Sequence, residues 1–251
     1  MTTLLVINGN TTQVITDRVA SVAREFCAPG TAIKAVTAET GPRVISTRAE
    51  NLLGGQSVLT LAARHHAGCD AAIIAVASDT GLRPVREALP IPVVGMTEAA
   101  LLTACAIGDG FGFLAIDARG GGLYREVIAG HGLAARMAAF EAIALPPAAF
   151  LSPKDAAEPI LAGIAALAEA GADVAVIGGA AFAGMAGKLG DRPPIPVLDS
   201  IGCAVRLAET LVALKPARPK SGGYAPLPRR ELVDVEPAIA ALFNPASEKT
   251  K

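Results

Sequence analysis

The chain has 251 residues, 52% hydrophobic, 18% charged and 4% aromatic, with 22 basic against 23 acidic side chains and no tryptophan. That length suits one large α/β unit or two lobes of about a hundred residues each. A net charge of −1, with no stretch that concentrates Lys and Arg among aromatics, argues against a nucleic-acid partner and for a small molecule.

A mean hydropathy of +0.47 raises the question of a membrane span. The longest candidate, Val174 to Gly187, lies between Asp173 and Lys188 and is broken by Gly178, Gly179 and Gly184, so it is too short to cross. No membrane partner is expected. The N-terminus has no basic region and no cleavage-site pattern after its apolar run, so a signal peptide is not expected. Cys27, Cys69, Cys105 and Cys203 are widely spaced, without a CxxC pair. A reduced, cytoplasmic chain without structural zinc is the expectation.

In chain order, Thr3–Ile7 reads as a strand, and the turn Asn8-Gly9-Asn10 follows, with Thr11 or Thr12 placed to cap a helix through Val14, Val19, Val22 and Phe26. Residues 31–37 read as a strand and 51–67 as a helix. Asp70–Ala77 is a buried strand, Ser78-Asp79-Thr80-Gly81 a loop before a short helix, Pro92–Gly95 a strand, and Thr97 opens a helix. The plan then restarts with a strand over Asp109–Ile116. Asp70–Val76 and Asp173–Gly179 match 103 residues apart, and each is followed by a Pro-Ile-Pro-Val strand, Pro90–Val93 and Pro194–Val197. A helix through Val205, Leu207 and Leu211 follows Asp199. From Lys215 the chain is rich in Pro and Gly, with a short helix near 234–243 and a fraying end over 247–251.

Such an internal repeat implies an α/β fold of two pseudo-symmetric lobes, each around a mostly parallel sheet. Residues 1–98, completed by 205–251, form the first lobe and 99–204 the second. Ligands of parallel sheets sit beyond the carboxyl ends of the strands. The loops after Ile7, Val76, Ile116 and Gly179 are therefore expected to face one cleft between the lobes.

Several words of this sequence carry a resemblance: Ile7-Asn8-Gly9-Asn10-Thr11-Thr12, Ser78-Asp79-Thr80-Gly81-Leu82, Pro92-Val93-Val94-Gly95-Met96-Thr97-Glu98-Ala99, Pro196-Val197-Leu198-Asp199-Ser200 and Lys220-Ser221-Gly222-Gly223-Tyr224-Ala225-Pro226. In this order they resemble the aspartate/glutamate racemase superfamily, and most closely its hydantoin racemase branch. The resemblance implies two α/β lobes, no cofactor, and a pair of cysteines exchanging a Cα proton across the substrate. It places those cysteines at Val76 and Gly179, neither of which carries a proton. It places a ligand-binding Thr-Thr pair at Ala115 and Ile116. The scaffold looks retained and the thiol chemistry lost. The related arylmalonate decarboxylases keep one of the two cysteines.

Each candidate residue has two readings. Asn8, Asn10, Thr11 and Thr12 offer amides, hydroxyls and a helix N-terminus to a carboxylate or imide oxygen, or simply form a capped turn. Ser78 and Thr80 sit where an enolate oxygen needs donors, and Asp79 is the candidate base, with capping of the helix near Leu82 as its plain alternative. Gly179 and Ala180 offer backbone donors in the mirrored loop. Arg43, in the polar segment Arg43–Arg48, offers a guanidinium to a carboxylate or serves as a solvated connector. Cys203 lies where a helix start can lower a thiol pKa, or is a small buried hydrophobe. Thr97, Glu98 and Asp199 read as helix-capping residues, and His131 as a C-terminal turn residue.

The expected activity is racemisation next to a carbonyl of a small cyclic amide or α-substituted carboxylate, by a homo-oligomer without a cofactor or metal. A lyase, decarboxylase or ring-opening hydrolase on the same scaffold is the enzymatic alternative. A catalytically retired binding protein is the other.

Overall fold

The computed structural model of the protein describes residues 1–145, 149 and 156–244; the fraying expected over 247–251 lies outside them. Two four-stranded sheets, both wholly parallel, form the frame. The first is built from β1 (Thr2–Asn8), β2 (Thr31–Thr37), β3 (Ala71–Ile74) and β4 (Val93–Gly95) in the order β2-β1-β3-β4. The second contains β5 (Phe111–Ala115), β6 (Met137–Ala142), β7 (Val174–Gly178) and β8 (Val197–Leu198) in the same order, β6-β5-β7-β8. Nearly unbroken apolar strands such as Leu4–Ile7 and Val174–Ile177 are what a sheet covered on both faces requires.

The helices are α1 (Gln13–Phe26), α2 (Arg48–His65), α3 (Leu82–Ala88), α4 (Met96–Ile107), α5 (Gly121–Gly130), α6 (Ala157–Glu169), α7 (Met185–Leu189), α8 (Ser200–Leu214) and α9 (Pro237–Phe243). The repeat extends to backbone conformation. Gly81 and Gly184, again 103 residues apart, take φ of 74° and 79° ahead of the short helices α3 and α7.

Strand alternation divides the core. Leu4, Val6 and Ile73 point to one face of the first sheet, and Leu5, Ile7 and Ile74 to the other. The lobes exchange helices: α4 runs from β4 onto β5 and β7, while α8 runs from β8 back onto β1, β3, β4 and α1. The two exchanged helices pack against each other, so one apolar cluster runs from Leu4 and Val6 through Ile201 and Val205 to Leu114 and Ile164.

Helix α2 begins at Arg48, three residues ahead of the expected 51, because Thr47 and Glu50 cap it. Thr47 Oγ1 accepts the Glu50 N–H at 3.2 Å, and Glu50 Oε2 accepts the backbone N–H of Thr47 at 2.9 Å and of Ser46 at 3.0 Å. These donors hold the Glu50 carboxyl below the usual carboxylate range, so their contribution is complete near neutral pH and is lost as pH falls through that lowered value. Thr47→Ala is expected to cost about 1 kcal/mol. Denaturant titration at pH 7 checks this, and an unchanged midpoint would refute the cap.

Candidate functional site

A cavity of about 770 Å3 opens at the carboxyl ends of β1, β5 and β6. Thr11, Thr12, Gln13, Val14, Ile15, Arg43 and Val44 line its first-lobe wall, and Ile116, Asp117, Ala118, Ala144 and Leu145 its second-lobe wall. Of the candidate site residues, the structure places Thr11, Thr12 and Arg43 here.

The turn after β1 is held from within. Asn8 is fully buried; its amide nitrogen donates to Asn10 Oδ1 at 3.1 Å and Thr16 Oγ1 at 3.0 Å, and its Oδ1 accepts the Asn10 N–H. Asn10 Oδ1 also accepts the Thr12 N–H at 3.0 Å. Thr12 makes no side-chain cap to α1. Its hydroxyl donates instead to the Arg43 carbonyl at 2.8 Å, while the Thr11 N–H donates to the Pro42 carbonyl at 3.0 Å. The segment carrying Arg43 is thereby latched beside the N-terminus of α1, where aligned N–H groups favour negative charge.

Ser78, Asp79 and Thr80 lie elsewhere. Ser78 and Asp79 line a separate crevice of about 280 Å3 against α5, with Asn51, Arg83, Glu126 and His131. Thr80 Oγ1 donates to Asn51 Oδ1 at 2.6 Å, and the Ser78 hydroxyl lies 2.6 Å from Thr80 Oγ1 and 3.2 Å from Asn51 Oδ1. Asp79, a non-glycine residue at φ 46°, accepts the N–H of Thr97 at 3.0 Å and of Glu98 at 2.8 Å, and His131 Nε2 lies 3.0 Å from Oδ2. Its carboxylate thus sits on the N-terminus of α4, not on the helix near Leu82 that immediate sequence suggested. Burial pushes the Asp79 carboxyl up, opposed by His131 and the two backbone donors. A Cβ at Gly95 would lie 2.5 Å from Asp79 Cγ, so only glycine there lets the carboxylate reach α4.

Ser78, His131 and Asp79 share the crevice without forming a nucleophilic triad. The second imidazole nitrogen of His131 lies 3.6 Å from Glu98 Oε1, so both ring nitrogens face carboxylates and neither serves Ser78. Arg86 donates to Glu98 and to the Val93 carbonyl, completing a chain from Asp79 through His131 and Glu98 to Arg86.

The mirrored loop is also turned away from the large cleft. Gly179 borders a void of only about 10 Å3 beside Ser200, and Ala180 opens a single turn packed with Phe182 against α1. Asp199 fastens it, accepting Ile201 N–H at 3.0 Å, Gly202 N–H at 2.9 Å and Gly184 N–H at 2.6 Å. Each lobe therefore ties the loop after its third strand to the helix after its fourth through one aspartate. In the first lobe the aspartate belongs to the loop, and in the second to the helix. The loops after Ile7 and Ile116 line the 770 Å3 cavity, and those after Val76 and Gly179 border other cavities, where Asp79 and Asp199 tie them to α4 and α8. Val76 itself is buried among Val58, Ile7 and Ile74.

Sequence reasoning passed over Asp117, although it is the first polar residue after β5 and stands at the position that Asn10 holds after β1. It also missed His131 as a partner of Asp79, because 52 residues separate them and nothing local links them. Burial pushes the thiols of Cys27, Cys69 and Cys203 up, which removes the helix-start activation considered for Cys203. Among the described residues no group of His, Cys, Asp and Glu is arranged to hold a metal ion. No described helix is long and apolar enough to cross a membrane.

The model of the Asp/Glu/Hydantoin racemase family matches residues 4–208. The hydantoin racemase of Paenarthrobacter aurescens is 33% identical over 225 residues, covering 88% of this chain and 95% of that protein. The allantoin racemase of Klebsiella pneumoniae superposes with a TM-score of 0.88 at 30% identity, over 96% of this chain and 99% of that one. The allantoin racemase of Pseudomonas fluorescens does so at 0.86 and 30%, over 92% and 100%. With two parallel sheets of identical strand order and a cleft at their carboxyl ends, the chain belongs to the Asp/Glu/Hydantoin racemase family.

Proposed function

We propose that this racemase-family enzyme inverts the carbon next to a carbonyl in a small cyclic amide of the hydantoin type, without a cofactor and without the usual cysteine pair. The observation that carries this reading is the 770 Å3 cleft, mostly apolar but with Arg43 and the start of α1 on one wall. An apolar ring substituent fits such walls, and the guanidinium with the helix N-terminus fits the oxygen on which charge develops. Thr11 and Thr12 hold the Arg43 segment in place. Ser78, Asp79 and Thr80 act as positioning residues that fix α4, and Gly179 and Ala180 as packing that sets the second lobe against α1. A cytoplasmic homo-oligomer is part of the same proposal.

Incubation with single enantiomers of 5-substituted hydantoins and of allantoin in deuterated water tests the reading. Deuterium at the ring carbon with loss of optical rotation and no loss of substrate is the expected result. Net consumption would replace it with lyase or hydrolase action, and binding without exchange with a retired enzyme.

Thiol independence is a second expectation. With Val76 and Gly179 at the two strand ends and burial raising three of the four thiols, iodoacetamide should leave turnover largely intact. Full inactivation mapped to a single cysteine would contradict it.

A further inference from the structure

Proton transfer beside a carbonyl needs a group that is basic near neutral pH, and the large cleft offers few. Among its described lining residues only Arg43 and Asp117 carry charge. A guanidinium stays protonated and cannot accept. Gln13 is engaged with Asp17 at 2.8 Å, and the Thr12 hydroxyl donates to the Arg43 carbonyl. Asp117 remains. It follows the buried end of β5, so its backbone is carried by a strand buried along its whole length. The Arg119 N–H at 2.9 Å holds its Oδ1, and among the described residues its other oxygen makes no hydrogen bond.

The cleft is thereby polarised. Among the described residues, a cation and a helix N-terminus stand on the first-lobe wall and one carboxylate on the second. We propose that Asp117 is the proton-transfer residue of this cleft, a base supplied from the end of β5 in place of strand-end thiols. The inference rests on the racemase reading above and names the group that performs it. Asp117 takes the proton from the ring carbon, and the C–H bonding pair moves into the carbonyl to give an enolate whose oxygen faces Arg43. The pair then returns to carbon. Either the Asp117 carboxyl gives its proton back, or a water on the open side protonates the opposite face and its hydroxide takes the proton from Asp117. Nothing is oxidised or reduced, and the enzyme ends as it began.

The test is Asp117→Asn, which keeps an acceptor for the Arg119 N–H, with (S)-5-benzylhydantoin as the probe in deuterated water. Wild-type protein should place deuterium in the recovered S enantiomer as well as in the R product, because one carboxyl serves the original face. The asparagine variant should exchange and racemise about 100-fold more slowly or worse, with probe affinity within a few fold by calorimetry and an unchanged melting temperature. Asp117→Glu should recover part of the rate. An active wild type with an equally active asparagine variant overturns the assignment alone. A wild type inert to every hydantoin offered overturns the racemase reading and the assignment with it.

Discussion

Asp79→Ala is expected to cost about 2–4 kcal/mol of stability, although the residue does not touch the large cleft. The substitution leaves the Thr97 and Glu98 N–H groups unpaired at the start of α4 and takes from His131 its carboxylate partner. The loss is smaller than for an ideal buried ion pair, because burial already disfavours the ionised Asp79 that alanine removes. In a chain of this size each kcal/mol corresponds to roughly 2–4 °C in Tm, so the fall is several degrees at least. Asp79→Asn, which keeps one acceptor, should fall between. Thermal melts of the three proteins settle it, and an alanine variant that melts with the wild type would show the network to be decorative. Protein that remains folded should keep its KM, since crevice and cleft have no lining residue in common.

Arg43→Ala should behave in the opposite manner. Its side chain is exposed, and its segment is held by backbone carbonyls that alanine preserves, so Tm should not move. Turnover should drop about 100-fold, the usual consequence of losing one preorganised group opposite a developing oxyanion. Steady-state kinetics on a hydantoin that the wild type racemises provides the measurement. Arg43→Lys should recover only part of the rate, because a point charge replaces a planar fork of donors. A rate within threefold of wild type for the alanine variant would remove Arg43 from the site.

The frame was readable because the signals for it are local and repeated. Pro90–Val93 and Pro194–Val197 announce β4 and β8, and the paired Asp70 and Asp173 announce β3 and β7. Strand β6 carried no such signal. It lies at the sheet edge, only partly buried, and Met137-Ala138-Ala139-Phe140 suits a helix as well as a strand. Thr11 and Thr12 follow β1 and Arg43 follows β2, and the convergence of loops at strand carboxyl ends brings them to one cavity. At Ser78 and Gly179 the detail that sequence does not carry is the single carboxylate in each lobe that ties the loop to a helix start. Asp79 finds its partners at Thr97, Glu98 and His131, 18 to 52 residues away, and no sequence pattern encodes that approach. Gly179 is similar. At φ 136° it holds a conformation that L residues avoid, so a cysteine introduced there would strain the loop by about 1–3 kcal/mol even though Val76→Cys would fit.

The exchange of α4 and α8 bears on how this chain is made. The face of the first sheet carrying Leu4, Val6 and Ile73 is closed by a helix that begins at Ser200, about a hundred residues after β4 has emerged from the ribosome. Until then the nascent amino-terminal half carries an open apolar face that must be kept from its neighbours on the polysome. Neither half expressed alone would be a working lobe, since each lacks the helix that covers its sheet. The cover of the first sheet is therefore completed only when the last fifth of the chain arrives.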